Sequence, residues 1–282
     1  MRRASLVSVL LILASPLLAQ RVQDPNGSTL HLYPDKSHAL EGQAHAPAAR
    51  GGGQNLTYHG GPVITSAKVV SIFWGSEWGS QNSPSALANA MLGFFAQFGS
   101  NGEYNVITQY SNIQLTSLGQ DYWVDTANPP TAVSDTAIQN EVIKYFNQGH
   151  SWDNSTIYEV FLPSTSYSTS GGSTSCGGPN LQYCAYHGNF KWQGHDVKYS
   201  SMPYPSCGGC QWTGWSDAQN FDHFACHETR EAVTDPDLNA WYDRRGNEAD
   251  DKCAWSPNPF LDGGFGYQYE WSNADSKCVK TK

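Results

Sequence analysis

The chain has 282 residues, 39% of them hydrophobic, 13% aromatic and 15% charged, with a formal net charge of −9. That apolar content can bury a sizeable core, which excludes global disorder, and the acidic balance excludes a basic nucleic-acid footprint. The length suits one large domain or two small ones.

In chain order, Arg2 and Arg3 precede an apolar run from Leu6 to Leu18, with a small-residue cleavage point at Ala19. Residues 1–19 therefore read as a signal peptide, and the protein is expected to be secreted, extracellular and monomeric. The run is too short to span a bilayer, and no later segment approaches the required length, so no membrane span is expected. Loss of the two arginines would take the charge from −9 to −11. Residues 20–57 mix Pro, Gly, Ala, Asn and His without apolar period and read as a flexible linker or pro-segment. His31, His38, His45 and His59 in or beside it could grip a metal, but solvated spacers are the plainer reading.

The folded domain is expected over residues 58–282. Lys68–Trp74 is β-branched and aromatic and reads as a buried strand. Ser83-Pro84 is expected to open a helix carrying Leu87, Met91, Phe94, Phe95 and Phe98. Tyr104–Leu118 reads as strand-like. Ser134 caps a second helix through Asn147, and Thr156–Leu162 is a second strong strand. Weaker strands follow at Tyr183–Tyr186 and Asp196–Met202, then a helix from Asp217, then a loop-rich tail. The alternation predicts a single α/β (mixed α+β) domain: a central mixed sheet, flanking helices and a disulfide-tied C-terminal part. Seven cysteines leave at least one unpaired within the chain. The natural pairing is Cys207 with Cys210, Cys176 with Cys184 and Cys253 with Cys278, leaving Cys226 as a buried free thiol. One Cys-x-x-Cys does not make a zinc ribbon.

The chemistry concentrates on residues 217–251. At 100° per residue, with Phe221 at zero, Glu228 falls near 340°, inside the face formed by Phe224, Ala225 and Ala232. A carboxylate aimed into apolar packing is costly unless paired, ligated or protonated. His227 and Glu231, at i and i+4, point at one ion, and Glu228 would sit beside the ion's water as general base. A further ligand is needed. Glu248 follows Glu231 by 17 residues (248 minus 231), in an Asn-Glu-Ala stretch like the one that supplies the distal glutamate of gluzincin-type metallopeptidases. Asp251 and His223 are rival ligands. Zinc is the expected cofactor, with manganese or calcium open because the set is oxygen-rich. If the centre forms, Glu248 or Asp251 carboxylate oxygens should lie within about 5 Å of His227. His223 or His187 could stabilise an oxyanion, although a hydrogen-bonded role is the plainer reading for His187. Trp212, Trp215, Trp241, Trp255 and Trp271 could stack sugars or simply pack.

The sequence resembles the secreted EXORDIUM-like (phosphate-induced protein) family from about Tyr58 to Cys278. The resemblance rests on His59-Gly60-Gly61-Pro62-Val63-Ile64, on Val70-Ser71-Ile72-Phe73-Trp74-Gly75 and on Cys184-Ala185-Tyr186-His187-Gly188. It rests also on Glu231-Ala232-Val233-Thr234-Asp235-Pro236 with Trp241-Tyr242. It implies an apoplastic or wall-associated protein. His227, Glu228, Glu231, Gly246, Glu248, Asp251 and Cys253 match the microbial members that keep a His-Glu-x-x-Glu helix, and Asp250 departs from their pattern, where a small residue is usual. The leading expectation is a secreted metallopeptidase acting on a peptide or protein substrate. The alternative is a non-catalytic, wall-polymer or glycan-binding protein with a structural or vestigial metal site.

Overall fold

The computed structural model describes residues 21–44 and 55–282. The expected signal peptide and His45 lie outside the described residues. In chain order the principal elements are β1 (Arg21–Gln23), β2 (Thr29–Pro34), α1 (Lys36–Ala44), β3 (Lys68–Trp74), α2 (Ala86–Phe98), β4 (Asp121–Asp125) and α3 (Asp135–Asn147). They continue with β5 (Thr156–Phe161), β6 (Tyr183–Trp192), β7 (His195–Met202) and α4 (Asp217–Thr234), and short ribbons complete the chain.

The strands form one seven-stranded mixed sheet in the order β1-β2-β6-β7-β5-β3-β4. Its β7, β5, β3 and β4 pairings are parallel, and β1, β2, β6 and β7 pair antiparallel. Alternation along each strand splits the core. Tyr33, Val69, Phe73, Ile157, Phe161 and Ala185 face α2 and α4. Leu30, Leu32, Val70, Ile72, Tyr158, Val160 and Tyr199 face the side that holds α3. The expected α+β architecture with a central mixed sheet is therefore present. No helix among the described residues is long and apolar enough to cross a membrane.

Ser134 caps α3 through its side chain, as expected. The α2 start is corrected: Ser85, not Ser83, caps the helix, accepting from the Ala88 amide, and Ser83–Pro84 pairs with Gly79–Ser80 in a ribbon. The strand expected at 104–118 is instead a 3-10 turn, Tyr104–Gln109, followed by irregular chain. The Asn101 side chain caps the Tyr104 amide, and Ser111 and Asn112 adopt positive φ (52° and 62°), which breaks an extended run. The weak strands near 183 and 196 form one long hairpin.

Two cysteine pairings are also corrected. The bridges are Cys176–Cys207, Cys184–Cys210 and Cys253–Cys278, with Cys226 free and buried. The Cys207–Cys210 turn is closed by its backbone, with the Cys210 amide donating to the Cys207 carbonyl at 3.0 Å. Its two sulfurs thus clamp two other segments to one turn.

The largest departure lies within the expected linker, over residues 21–44. Here β1 and β2 extend the sheet and α1 follows. Thr29-Leu30-His31-Leu32-Tyr33-Pro34 is a period-two strand with leucines on one face and His31 and Tyr33 on the other. His38 pairs with Asp35, and the exposed His59 ring stacks on Tyr242 at 3.7 Å.

Candidate metal centre

Helix α4 is fixed at its start by a reciprocal cap. The Ser216 hydroxyl accepts from the Gln219 amide and the Gln219 side chain accepts from the Ser216 amide. Pro236, which has no N–H, follows its end. Every residue from Asn220 to Thr234 is buried, so the helix is a central rod rather than a surface helix. Its polar side chains must therefore find partners inside the protein.

The sheet below supplies them in register. His31 pairs across from His187, His187 from Ser200, Ser200 from Glu159, and Glu159 from Ser71. Residues paired in this way share a face, so five polar side chains run in a buried row across the α4 side of the sheet. The Thr229 hydroxyl of α4 donates to Glu159 at 2.6 Å. The two histidines at the end of the row meet His227, Glu228 and Glu231.

Glu231 is the hub. Its Oε1 accepts the Asp251 amide at 3.0 Å. Its Oε2 is 3.0 Å from His227 Nε2, 3.7 Å from His31 Nε2 and 3.9 Å from His187 Nδ1. Yet this oxygen has no hydrogen-bond partner, nor do His227 Nε2, His187 Nε2, His31 Nδ1, Glu228 Oε1, Glu248 Oε1 and Oε2, or Asp251 Oδ1. Donor atoms crowded at these separations without a hydrogen bond could serve as ligands of one ion. Two donors each about 2.1 Å from a tetrahedral metal stand about 3.4 Å apart. Among the described residues, three groups of histidines and carboxylates offer donor atoms within 4.8 Å of one another: His31, Glu231 and Asp251; His187, Glu231 and Glu248; His227, Glu228 and Glu231. Glu231 belongs to all three.

The loop after α4 brings the remaining carboxylates. The Asp243 side chain accepts the amides of Arg245 and Asn247, with Gly246 at φ 87°, and this turns the chain inward. The Glu248 amide then donates to Asp251 Oδ2 at 2.8 Å, and the Cys253–Cys278 bridge ties down the far end. Asp250 turns away from the ligand-type atoms towards Arg230. It takes a two-pronged pair from that buried side chain. Arg230 is thus a positioning residue for the loop that carries Glu248 and Asp251.

Electrostatics agree with a need for positive charge. Burial and then neighbouring acids push the Glu231 and Glu248 carboxyls well above the usual range, and burial does the same to Glu228 against the pull of His227. For Asp251 burial acts upward, but His31, by charge and a 2.8 Å hydrogen bond, holds the carboxyl below that range. Burial, together with His31, pushes the His187 imidazole well below its usual value.

The structure thus brings His227, Glu228, Glu231, Glu248 and Asp251 together. Asp251 Oδ1 lies 3.8 Å from His227 Nε2, inside the expected limit. Glu248 approaches through His31 Nδ1 at 3.1 Å and His187 Nε2 at 3.9 Å. His223 is not brought to the cluster. Its Nε2 meets the Tyr33 hydroxyl at 3.0 Å and its ring packs edge-on against Trp255. Burial takes its pKa down to about 3. The side chains that sequence reasoning missed are His31, taken for a solvated spacer, and the depth of His187. Comparison with family models, curated proteins and solved structures finds no match for the chain.

Proposed function

We propose that the chain is a secreted, divalent-metal-dependent hydrolase, with zinc the fitting cofactor and a peptide or protein the substrate. The observation that carries this reading is Glu231 Oε2, without a hydrogen-bond partner, fully buried and ringed by three imidazole nitrogens within 4 Å. His227 and Glu231 would hold the ion with Glu248 or Asp251. A mixed imidazole–carboxylate set suits zinc, and its oxygen content suits manganese as well. Bound there, the cation supplies Lewis acidity and a more acidic water.

The protein's own part centres on Glu228. One of its oxygens meets His187 Nδ1 at 3.0 Å, which orients the carboxylate, while Oε1 remains free. In this reading that oxygen accepts a proton from water and returns it to a leaving amine. Three disulfides and the resemblance to EXORDIUM-like proteins support an extracellular setting. Glu228→Gln should retain one metal per chain and lose turnover of a casein or peptide-library substrate by about 10²–10⁴-fold. Equal turnover by the variant and the wild type would sink the mechanism.

The complete burial of the cluster favours a second reading, a structural metal in a wall-polymer or glycan-binding protein. That reading expects no hydrolysis by the full chain under any treatment. It expects saturable binding to wall polysaccharide that falls on Trp212→Ala or Trp241→Ala.

A further inference from the structure

Burial and hydrolysis of a polymer are reconciled by one stretch of the chain. Residues 21–34 lie against the cluster from the open side of the sheet. On β2, His31 sits directly across from His187 and reaches Glu231, Glu248 and Asp251. Two residues on, the Tyr33 ring stacks on His227 with centroids 4.0 Å apart. On β1, Arg21 bonds Asp235 at 2.8 Å and stands 3.5 Å from Glu248. The same arginine lines an open surface hollow of about 570 Å³, so it stands between the centre and solvent. On its other edge β6 pairs with β7, so β2 holds the only free edge of β6.

We propose that residues 21–34 are an intramolecular mask. In it β2 takes the antiparallel edge of β6 that an extended polypeptide substrate would use, and His31 occupies a ligand position that substrate or water needs. This rests on the metal-hydrolase reading above, and it assigns that site its substrate class and its regulation. Strand addition explains the choice of occupant. A free sheet edge binds extended backbone through its ladder of N–H and C=O groups whatever the side chains, and pockets beside it read alternate residues. In β2 the alternate residues are His31 and Tyr33, both turned onto the centre. The strand therefore behaves as a tethered pseudo-substrate.

The test uses the full chain with a specific protease recognition sequence placed within residues 45–54, loaded with Co²⁺ alone as a spectroscopic probe. Cutting the wild-type chain and allowing the N-terminal piece to leave should alter the Co²⁺ ligand-field spectrum. It should also speed chelator-driven metal release at least tenfold and raise peptide hydrolysis at least tenfold. A synthetic 21–44 peptide should restore the slow release and the original spectrum, and the same peptide carrying His31→Ala should not. The chain folds with native residues 21–44 in place before it is cut, so the result does not depend on whether a His31→Ala protein folds. A cut chain that has lost the piece but keeps the uncut spectrum, release rate and activity overturns the mask and leaves the metal centre standing. Failure of the uncut chain to bind one Co²⁺ overturns the metal reading itself, and the mask with it.

Discussion

Helix α4 carries two buried charge clusters on adjoining flanks, and they are solved in different ways. On one flank Arg230 donates to Asp250, lies 2.5 Å from Glu270 and reaches the Glu103 carbonyl, while Gln268 donates to Asp250. Burial acts to discharge the guanidinium, but Asp250 beside it holds it charged. That cluster contains its own permanent cation. On the other flank Glu228, Glu231, Glu248 and Asp251 face three imidazoles, with Arg21 only at the rim. The same helix and the same loop serve both, so the difference is not one of burial. It lies in where the positive charge comes from: a covalently attached guanidinium in one case, and in the other, on the reading proposed above, a bound divalent cation.

The comparison can be broken in several ways. The largest effect is expected from Arg230→Met. Removing the fixed cation leaves Asp250 and Glu270 buried without it and should cost about 3–5 kcal/mol, read from urea midpoints with or without metal. A loss under about 1 kcal/mol would mean that the pair is not the loop's anchor.

Next comes Glu159, a buried carboxyl beneath the same helix with Thr229 as its hydrogen-bond partner. Burial raises its pKa from 4.5 to about 8. A carboxyl raised in the folded state binds more protons there than in the unfolded chain. Its contribution is therefore present below pH 4.5 and is lost as pH rises towards 8. Glu159→Gln should remove that loss, gaining about 2–4 kcal/mol over wild type at pH 8 and little at pH 5. Parallel pH profiles for the two proteins would refute the assignment.

The smallest effect concerns the metal side directly. Moving wild type from excess Zn²⁺ to chelator should lower Tm by about 5–10 °C, the mass-action equivalent of about 2.7 kcal/mol at a hundredfold excess over Kd. Glu231→Gln should abolish the shift, and persistence of the full shift would remove Glu231 from its place as hub.

What could be read in the sequence divides along the same line. His227, Glu228 and Glu231 sit on one periodic helix, and Glu248 and Asp251 follow within a short loop, so local spacing revealed them. His31 lies 220 residues from Asp251 and His187 lies 41 from Glu228, and only the pairing of β2 with β6 joins them. The strand signal was present in Leu30-His31-Leu32-Tyr33, but a polar residue on the buried face disguised the alternation as a mixed spacer. Two of the three expected disulfides failed for a similar reason. Nearness along the chain favoured Cys207 with Cys210, whereas a backbone-closed turn turns its sulfurs to separate neighbours. Asp250 read as a departure from a pattern because its partner is Arg230, which lies outside the histidine–carboxylate cluster.

The register of β2 on β6 makes the seating of that strand all-or-none. A slip by one residue would reverse both faces, placing Leu30 or Leu32 among the carboxylates and driving His31 into the apolar layer of Tyr186, Val197 and Tyr199. A slip by two would restore the faces but bring Tyr33 or Thr29 opposite His187 instead of an imidazole. Neighbouring registers are thus penalised by desolvated charge or by a mismatched partner, and the strand has one comfortable seat on β6.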